Sequence, residues 1–256
     1  MKQDYVTVLQ LTDLHLFADP EGLFNGIKTR DSFLEVLEHA QEHHGSPDVI
    51  VLTGDLAHEG ESGAYQFISG ALRRFSAPAY CILGNHDDPD SAGSVYPLGS
   101  VTMAGHCLLE HWQIITVDSN HRPMPGSHQG EVSEDELQRI AELTTRHADK
   151  WTLLAMHHNL PEHHDRGVAQ EIRNHEQVMQ RLEQIPTIKL VLSGHVHQEF
   201  VIVQNGICYL STPSTGYQSK SKSGKPTGET PGYRWLKLHS NGRIETDVRR
   251  LSTWIS

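Results

Sequence analysis

Short apolar runs and amphipathic segments alternate along the first part of the chain. Apolar, β-rich runs predict strands at residues 6–12, 48–53 and 79–83. Between them, apolar residues recur at three- and four-residue intervals, which predicts helices over residues 31–44 and 64–75. Strands that alternate with helices indicate an α/β domain with parallel strands, and the functional loops of such domains lie at the carboxyl ends of the strands.

The alternation continues to residue 193, and the pattern changes after residue 200. There, β-rich segments are joined by turns, and two of the turns contain Asn-Gly, a strong hairpin signal. No linker or internal repeat divides the chain, so we expect a single domain over residues 1–256. The remaining predicted elements are strands at 111–118, 151–156, 189–193, 200–203, 207–211, 234–239 and 243–249, a helix opened by the capping box Ser133-Glu134-Asp135-Glu136, a helix marked by Val178, Leu182 and Ile185, and a loop with a short helix at 88–110.

Residue types that bind metal ions stand at the ends of five apolar runs. Imidazole is the commonest neutral metal ligand. Residues two apart in an extended backbone face the same way, so His195 and His197 are expected to point to one side as their strand ends. The five motifs are Asp13-Leu14-His15, Gly54-Asp55, Gly84-Asn85-His86-Asp87, His157-His158 and Gly194-His195-Val196-His197.

Each motif taken alone has a simpler explanation. An aspartate at a strand end, such as Asp13, is more often a turn former or a helix cap. The segment around Asn85 could be a polar turn, since Asn and Gly tolerate a left-handed backbone. The argument for a metal site is therefore the repetition, because five such motifs, each at a strand end, are hard to explain by chance.

Together the motifs offer two carboxylates, one amide and four imidazoles. Seven ligands exceed what one ion with an open position needs, and they suit two ions about 3.5–4 Å apart that share a carboxylate. Oxygen and nitrogen donors without thiolate favour manganese, iron, zinc or cobalt and argue against calcium. The candidate ligands are Asp13, His15, Asp55, Asn85, His157, His195 and His197.

Composition narrows the classes of function. The formal charge of −11 disfavours a protein that binds nucleic acid, and no run approaches the roughly 18–20 apolar residues of a membrane span. The first apolar run leads directly into Asp13, so we interpret it as a strand and not as a signal peptide, and we expect a cytoplasmic protein. Three scattered cysteines are too few for a disulfide framework or a thiolate metal site.

The ordered series D-x-H, GD, GNHD, HH and GH-x-H, which spans residues 13 to 197, resembles the metallophosphoesterase superfamily. Five further stretches extend the similarity over nearly the whole chain and make it closest to the bacterial class III cyclic-AMP phosphodiesterases. They are Leu11-Thr12-Asp13-Leu14-His15-Leu16-Phe17-Ala18, Gly130-Glu131-Val132-Ser133, Ser193-Gly194-His195-Val196-His197-Gln198-Glu199, Thr212-Pro213-Ser214-Thr215 and Pro231-Gly232-Tyr233-Arg234.

The resemblance implies a fold and a metal centre. The fold would be a four-layer αββα sandwich of two mixed β-sheets flanked by helices, with the β-rich part from about residue 200 completing the second sheet. The centre would hold two ions, iron with manganese, or zinc or cobalt in their place. One ion would be held by Asp13, His15, Asp55 and His197, and the other by Asp55, Asn85, His157 and His195, with Asp55 as the bridge.

The resemblance also implies the reaction, which is hydrolysis of 3′,5′-cyclic AMP to 5′-AMP by in-line attack of a hydroxide held between the ions. Asp55 and His86 would be catalytic, and His86 would contact the phosphate and protonate the leaving oxygen. An alternative role for His86 is to orient Asp13 or Asn85. The residues implied to bind the substrate are His15, Asn85, His86 and His197.

Other substrates and roles stay open at this point. The same centre could act on 2′,3′-cyclic nucleotides, aryl phosphodiesters, a lipid-linked pyrophosphate or a phosphoprotein, and a scaffold protein could keep the fold without turnover. The expected partner is a small cyclic nucleotide, with no nucleic acid or membrane, and a homodimer is left open. His58 and His158 are interpreted as near the site, each as a pocket wall or a surface histidine. Thr212, Ser214 and Arg234 are interpreted as nucleotide contacts, and the segments 161–173 and 220–225 as parts of a base and ribose pocket or a dimer contact.

Overall fold

A computed structural model describes residues 4–121, 128–162, 171–219 and 229–253. All of segment 220–225 and most of segment 161–173 lie outside the described residues, so their expected roles stay predictions. The strands are β1 Tyr5–Leu11, β2 Leu23–Phe24, β3 Ile27–Lys28, β4 Val49–Thr53, β5 Ala79–Ile82, β6 Val101–Thr102, β7 His106–Leu108, β8 Trp112–Thr116, β9 Trp151–Ala155, β10 Ile188–Ser193, β11 Phe200–Gln204, β12 Ile207–Ser211, β13 Gly232–His239 and β14 Ile244–Arg250. The helices are α1 Thr29–His44, α2 Ser62–Leu72, α3 Pro89–Val95, α4 Glu134–Arg146 and α5 His175–Glu183.

The described strands form two six-stranded mixed sheets and one small hairpin. The first sheet has the order β14-β13-β1-β4-β5-β6 and the second the order β11-β12-β10-β9-β8-β7. Strands β1, β4, β5 and β6 are parallel, as are β8, β9, β10 and β12, while β13, β14, β11 and β7 pair antiparallel with their neighbours. The parallel arrangement predicted from the alternating pattern is confirmed, and it brings the carboxyl ends of neighbouring strands to one edge.

Alternation of side chains along each central strand explains the layers. In β1, Leu9 and Leu11 pack in a cluster with Phe33 of α1, whereas Val8 packs in another cluster with Ile114 of the second sheet. Successive side chains of a strand point to opposite faces, so a strand that is apolar on both faces must be covered on both. A third cluster lies between the second sheet and helices α4 and α5. The result is the four-layer αββα sandwich implied by the resemblance, which is confirmed.

The strands after residue 200 divide between the two sheets, which corrects the expectation that they complete the second one. Only β11 and β12 join the second sheet, where β12 pairs with β10. Strand β13 pairs antiparallel with β1 from Tyr5 to Gln10 and brings β14 with it into the first sheet. The physical reason is that β1 has an open side, and Val8 and Leu236 meet there in the core between the sheets.

Two smaller features differ from what the sequence predicts. The stretch between β1 and α1, interpreted as a loop, contains the hairpin β2–β3, with Asn25 and Gly26 in its turn at φ angles of 50° and 84°. The capping box forms only in part, since Ser133 accepts the N–H of Glu136 while the Glu136 carboxylate pairs with Arg139.

Within the described residues, no helix is both long and apolar enough to traverse a lipid bilayer.

Candidate dinuclear metal site

All seven candidate ligands lie together where the two sheets meet at the carboxyl ends of their strands. Strand β1 leads to Asp13 and His15, β4 to Asp55 and β5 to Asn85, all in the first sheet. Strands β9 and β10 of the second sheet lead to His157, His195 and His197. The sequence prediction that these residues converge is confirmed by the hydrogen bonds and short contacts among them.

Five of the seven candidates have a left-handed backbone. The φ angles lie between 47° and 68° for Asp13, His15, Asp55, His195 and His197. Residues other than glycine rarely adopt this conformation, and where they do the surrounding structure must hold them in it, most often at functional sites. The turns aim the side chains inward after each strand has ended.

The turn after β10 corrects one step of the sequence argument. An extended backbone was expected to point His195 and His197 to one side, but both residues have positive φ and lie beyond the end of β10. Their side chains therefore diverge, and His197 joins Asp13 and His15 while His195 joins His157. The two histidines still serve one site, in separate halves of it.

The first cluster consists of Asp13, His15, Asp55 and His197, all buried. The Nε2 atoms of His15 and His197 are 3.1 Å apart. His15 Nε2 is 3.6 Å from Asp55 Oδ2, and His197 Nε2 is 3.5 Å from Asp13 Oδ1. Four donor atoms within 4.8 Å of one another can surround a single ion.

The second cluster forms on the other side of Asp55. Nε2 of His157 lies 3.4 Å from Asp55 Oδ1, 3.1 Å from Asn85 Oδ1 and 3.2 Å from His195 Nδ1. The two carboxylate oxygens of Asp55 thus face different clusters, Oδ1 the second and Oδ2 the first. A carboxylate in this position has the geometry to bridge two ions.

Contacts behind the clusters fix the orientation of the imidazoles. Nδ1 of His157 lies 2.8 Å from the carbonyl oxygen of Thr53, and Nδ1 of His197 lies 2.7 Å from that of Tyr217. A ring nitrogen next to a carbonyl oxygen must donate its proton, so Nε2 is the atom of each ring that faces the cluster and that can bind an ion once it is deprotonated. Support of this kind sets the tautomer and the ring orientation of histidines that bind metals.

The electrostatics favour ionised carboxylates. Burial raises the pKa of Asp55, but the imidazoles of His157 and His15 outweigh it and hold the pKa well below the ordinary value. For His157, burial lowers the pKa, yet the Asp55 carboxylate outweighs burial and raises it to about 9. Burial lowers the pKa of His15 to about 3. Asp55 and neutral His15 are therefore in the protonation state that a metal ligand requires, whereas His157 must release a proton when an ion binds.

Gly54 and Gly84 allow the close approach of the ligand loops. A Cβ atom on Gly84 would lie 2.1 Å from Asp55 Oδ1, and one on Gly54, whose φ is 93°, would lie 2.4 Å from His157 Nδ1. No side chain fits at either position without moving a candidate ligand. The glycines in the GD and GNHD motifs are thus explained by contact with Asp55 and His157.

Sequence reasoning missed the role of Asp87, although it lies in a quoted motif. Its partly buried carboxylate accepts the N–H groups of Leu56, Ala57 and Gly84 and the hydroxyl of Tyr65, at 2.7 to 3.1 Å. Burial, and then the charge of Asp55, raise the pKa of Asp87 to about 6. The carboxylate ties the loop after β4 to the loop after β5. The feature of the sequence that could have indicated this role is the position of Asp87 directly after Asn85 and His86 in the same motif.

His86 and His58 lie beside the first cluster. The His86 N–H donates to Asp55 Oδ1 at 2.9 Å, and its Nδ1 is 3.2 Å from the carbonyl oxygen of His58. Its ring is partly exposed and stands edge-on to the His15 ring, with centroids 4.9 Å apart. The His58 ring stacks on that of His86 at 4.7 Å. His86 is thus held against Asp55 and His15 at the border of the first cluster.

The other near-site residues are structural supports. His158 is buried, with Nδ1 2.9 Å from Ser119 Oγ and Nε2 3.0 Å from the carbonyl oxygen of His128, so both ring nitrogens are occupied. The interpretation of Thr212, Ser214 and Arg234 as nucleotide contacts is wrong, because all three are buried and bonded to protein groups. Arg234 donates to Thr212 Oγ1, Thr246 Oγ1 and the carbonyl oxygen of Ser211, Thr212 donates to Gln10, and Ser214 donates to the carbonyl oxygen of Asp13.

Two sheets that carry a paired His and Asp site at their common edge define a metal-dependent phosphoester hydrolase. The chain belongs to the calcineurin-like phosphoesterase family, whose model matches residues 6–199. It is 36% identical over 251 residues to the 3′,5′-cyclic adenosine monophosphate phosphodiesterase CpdA of Escherichia coli, covering 96% of this chain and 90% of that protein. It is 32% identical to the protein of the same name from Vibrio vulnificus, covering 99% and 93%.

Solved structures agree on the fold. A purple acid phosphatase from yellow lupin has a TM-score of 0.70 at 12% identity, over 97% of this chain and 52% of that chain. A dimetal phosphatase from Danio rerio has a TM-score of 0.60 at 14% identity, over 98% and 100%. At these identities the likeness concerns the architecture alone.

Proposed function

We propose that the protein is a dinuclear-metal phosphodiesterase that hydrolyses 3′,5′-cyclic AMP to 5′-AMP. The observation that carries the proposal is the position of Asp55, whose two carboxylate oxygens face His15 in one cluster of donor side chains and His157, with Asn85 and His195, in the other. Relatives named as cyclic-AMP phosphodiesterases, similar over nearly the whole chain, support the substrate.

In this proposal each cluster would hold one ion. Asp13, His15, Asp55 and His197 would hold the first, and Asp55, Asn85, His157 and His195 would hold the second. When bound, the ions polarise the phosphoryl oxygens and lower the pKa of a water molecule to make it a nucleophile. The donors are oxygen and nitrogen without thiolate, which suits iron with manganese, or zinc or cobalt.

His86 is the proposed general acid. The contact of its Nδ1 with the His58 carbonyl oxygen fixes the ring, and its backbone N–H donates to the Asp55 carboxylate. The side chain is therefore held in place beside the first cluster. Imidazole is the side chain that most often transfers protons in catalysis, which suits protonation of the leaving sugar oxygen. His15, Asn85 and His197, at the same face, complete the proposed phosphate site.

Steady-state kinetics on four substrates tests the proposed reaction. Purified protein with added manganese is assayed on cyclic AMP, cyclic GMP, 2′,3′-cyclic AMP and bis-p-nitrophenyl phosphate. We expect the highest kcat/KM on cyclic AMP, with 5′-AMP as the product. Higher kcat/KM on the aryl diester, with weak turnover of cyclic AMP, would instead identify a general phosphodiesterase.

Chelation tests the role of the ions. Dialysis against EDTA should remove activity, and manganese should restore it. Metal analysis of the same samples by mass spectrometry distinguishes a tightly retained ion from a reaction that needs none. Full activity in a sample shown to contain no metal would refute the dinuclear mechanism.

We also propose that the protein acts in the cytoplasm on a small-molecule substrate. The three cysteines are free thiols, which suits a reducing compartment, and the charge of −11 suits a small ligand better than nucleic acid. Val201 and Val203 are 49% and 71% exposed on strand β11, which supports a homodimer through this edge. Light scattering of the purified protein tests the dimer.

A further inference from the structure

The hairpin β2–β3 places an aromatic ring at the candidate metal site. Phe24 ends β2, and its register partner is Ile27 of β3. The turn between them, Asn25-Gly26, has positive φ at both residues, as type I′ hairpin turns require. This tight turn fixes the position of Phe24 relative to the site.

The ring of Phe24 contacts histidines of the first cluster and its border. Its centroid lies 4.4 Å from that of His15, 4.5 Å from that of His58 and 6.4 Å from that of His197. The residue is nevertheless only partly buried. An apolar ring that stays partly exposed beside a polar centre is unusual, because most of the site is built from buried carboxylates and imidazoles.

Tyr217 adds a second ring on the same side. Its centroid lies 5.4 Å from that of Phe24, with the ring planes at 74°, and 6.1 Å from that of His197. The carbonyl oxygen of Tyr217 accepts from His197 Nδ1, which ties the residue to a candidate ligand. Tyr217 is also partly exposed. The two rings meet edge to face and form an aromatic corner next to the first cluster.

We propose that Phe24 and Tyr217 form the stacking surface for the base of the nucleotide substrate. This inference rests on the proposed function, in which the phosphate lies at the two clusters. Only the sugar separates a base from its phosphate, so a base attached there can reach the aromatic corner. Stacking on aromatic rings is favourable for every base. The corner therefore selects nucleotides over phosphodiesters without a base, and it contributes little to discrimination between adenine and guanine.

Binding of 5′-AMP and of inorganic phosphate to the metal-loaded protein tests the inference. Phe24→Ala should weaken the binding of 5′-AMP by roughly 5- to 150-fold, the range for loss of one base–aromatic stack. The affinity for phosphate should stay within about twofold of wild type. Phe24→Leu, which keeps an apolar side chain against His15, should lose most of the same affinity, and Phe24→Tyr should retain it. Tyr217→Ala should also weaken 5′-AMP selectively. Leu23→Ala is the control, since Leu23 is 54% exposed on the same hairpin.

The two ligands separate the outcomes. In one outcome, Phe24→Ala and Phe24→Leu weaken the binding of 5′-AMP and of phosphate equally; in another, they leave both affinities unchanged. In either case Phe24 does not contact the base and the inference is overturned. Wild-type turnover of cyclic AMP is measured in parallel. If the wild-type protein hydrolyses cyclic AMP and both variants keep the wild-type preference for 5′-AMP over phosphate, the stacking surface is overturned and the proposed function stays intact. Selective loss of 5′-AMP binding in a protein that does not hydrolyse cyclic AMP supports the surface and overturns the proposed reaction.

Discussion

Substitution of Gly84 by alanine tests the packing of the two ligand loops. The added Cβ atom would lie 2.1 Å from Asp55 Oδ1 and 2.3 Å from the Asp55 backbone nitrogen. Real Cβ atoms essentially never approach other heavy atoms within 3.0 Å, so the carboxylate oxygen must retreat by about 0.9 Å. The backbone nitrogen has no rotamer with which to escape, and the two loops must therefore separate.

The expected effect follows from that displacement. Asp55 touches both clusters, and a misplacement of about 1 Å in a catalytic site can cost roughly 100-fold in rate. Insertion of a methyl group into a packed region costs about 1–3 kcal/mol of unfolding free energy. We expect Gly84→Ala to bind less metal, to lose about two orders of magnitude in kcat and to unfold at lower urea concentration.

Gly70→Ala is the matched control. Gly70 lies in helix α2, and a Cβ atom there meets nothing within 4 Å. The same change should raise stability by about 1 kcal/mol, because alanine is the better helix former, and should leave turnover unchanged. Metal content, kcat and urea midpoints are compared for both variants. A Gly84→Ala protein with wild-type metal content and kcat would refute the packing argument.

Three further predictions concern single residues. Asp55→Asn should reduce bound metal and abolish turnover, since one carboxylate faces both clusters; unchanged metal content, measured by mass spectrometry, would contradict the bridging role. His86→Ala should keep its metal and slow turnover by about 10²–10⁴-fold, as loss of a general acid does; loss of metal in this variant would instead make His86 a ligand or its support. Cys81 and Cys107 are buried and burial raises the pKa of both thiols, so Ellman's reagent should modify them only after unfolding. Cys208 is only partly buried, so rapid modification of more than one thiol per native molecule would contradict the burial of Cys81 and Cys107.

Much of the fold could be predicted because its elements are local. The alternation of strands and helices, the hairpin turn at Asn205-Gly206 and the convergence of the ligand motifs all follow from short stretches of sequence. Parallel strands bring their carboxyl ends to one edge of their sheet, so the motifs after β1, β4 and β5 had to meet, as did those after β9 and β10. The hairpin at Asn25-Gly26 carried the same signal as the later turns and was overlooked because its strands are only two residues long.

The remainder depended on contacts between distant parts of the chain. Pairing of β13 with β1 joins residues more than 200 positions apart, and β13 is apolar enough on both faces to fit either sheet. Arg234 lies in a strand whose neighbours are buried, and its guanidinium finds hydroxyl and carbonyl partners on β12 and β14 that no local pattern indicates. The left-handed turns of His195 and His197 likewise arise where a ligand loop meets Asp13 from the opposite sheet.

Because the candidate ligands are divided between the two sheets, the stability of the fold is expected to depend on bound metal. Asp13, His15, Asp55 and Asn85 belong to one half of the sandwich and the three other histidines to the opposite half. Bound ions would clasp the halves together, and an ion at 1,000 times its dissociation constant adds about 4 kcal/mol to the unfolding free energy. In a cell starved of the ion, the chain would be degraded faster as well as inactive, so its abundance would follow metal availability.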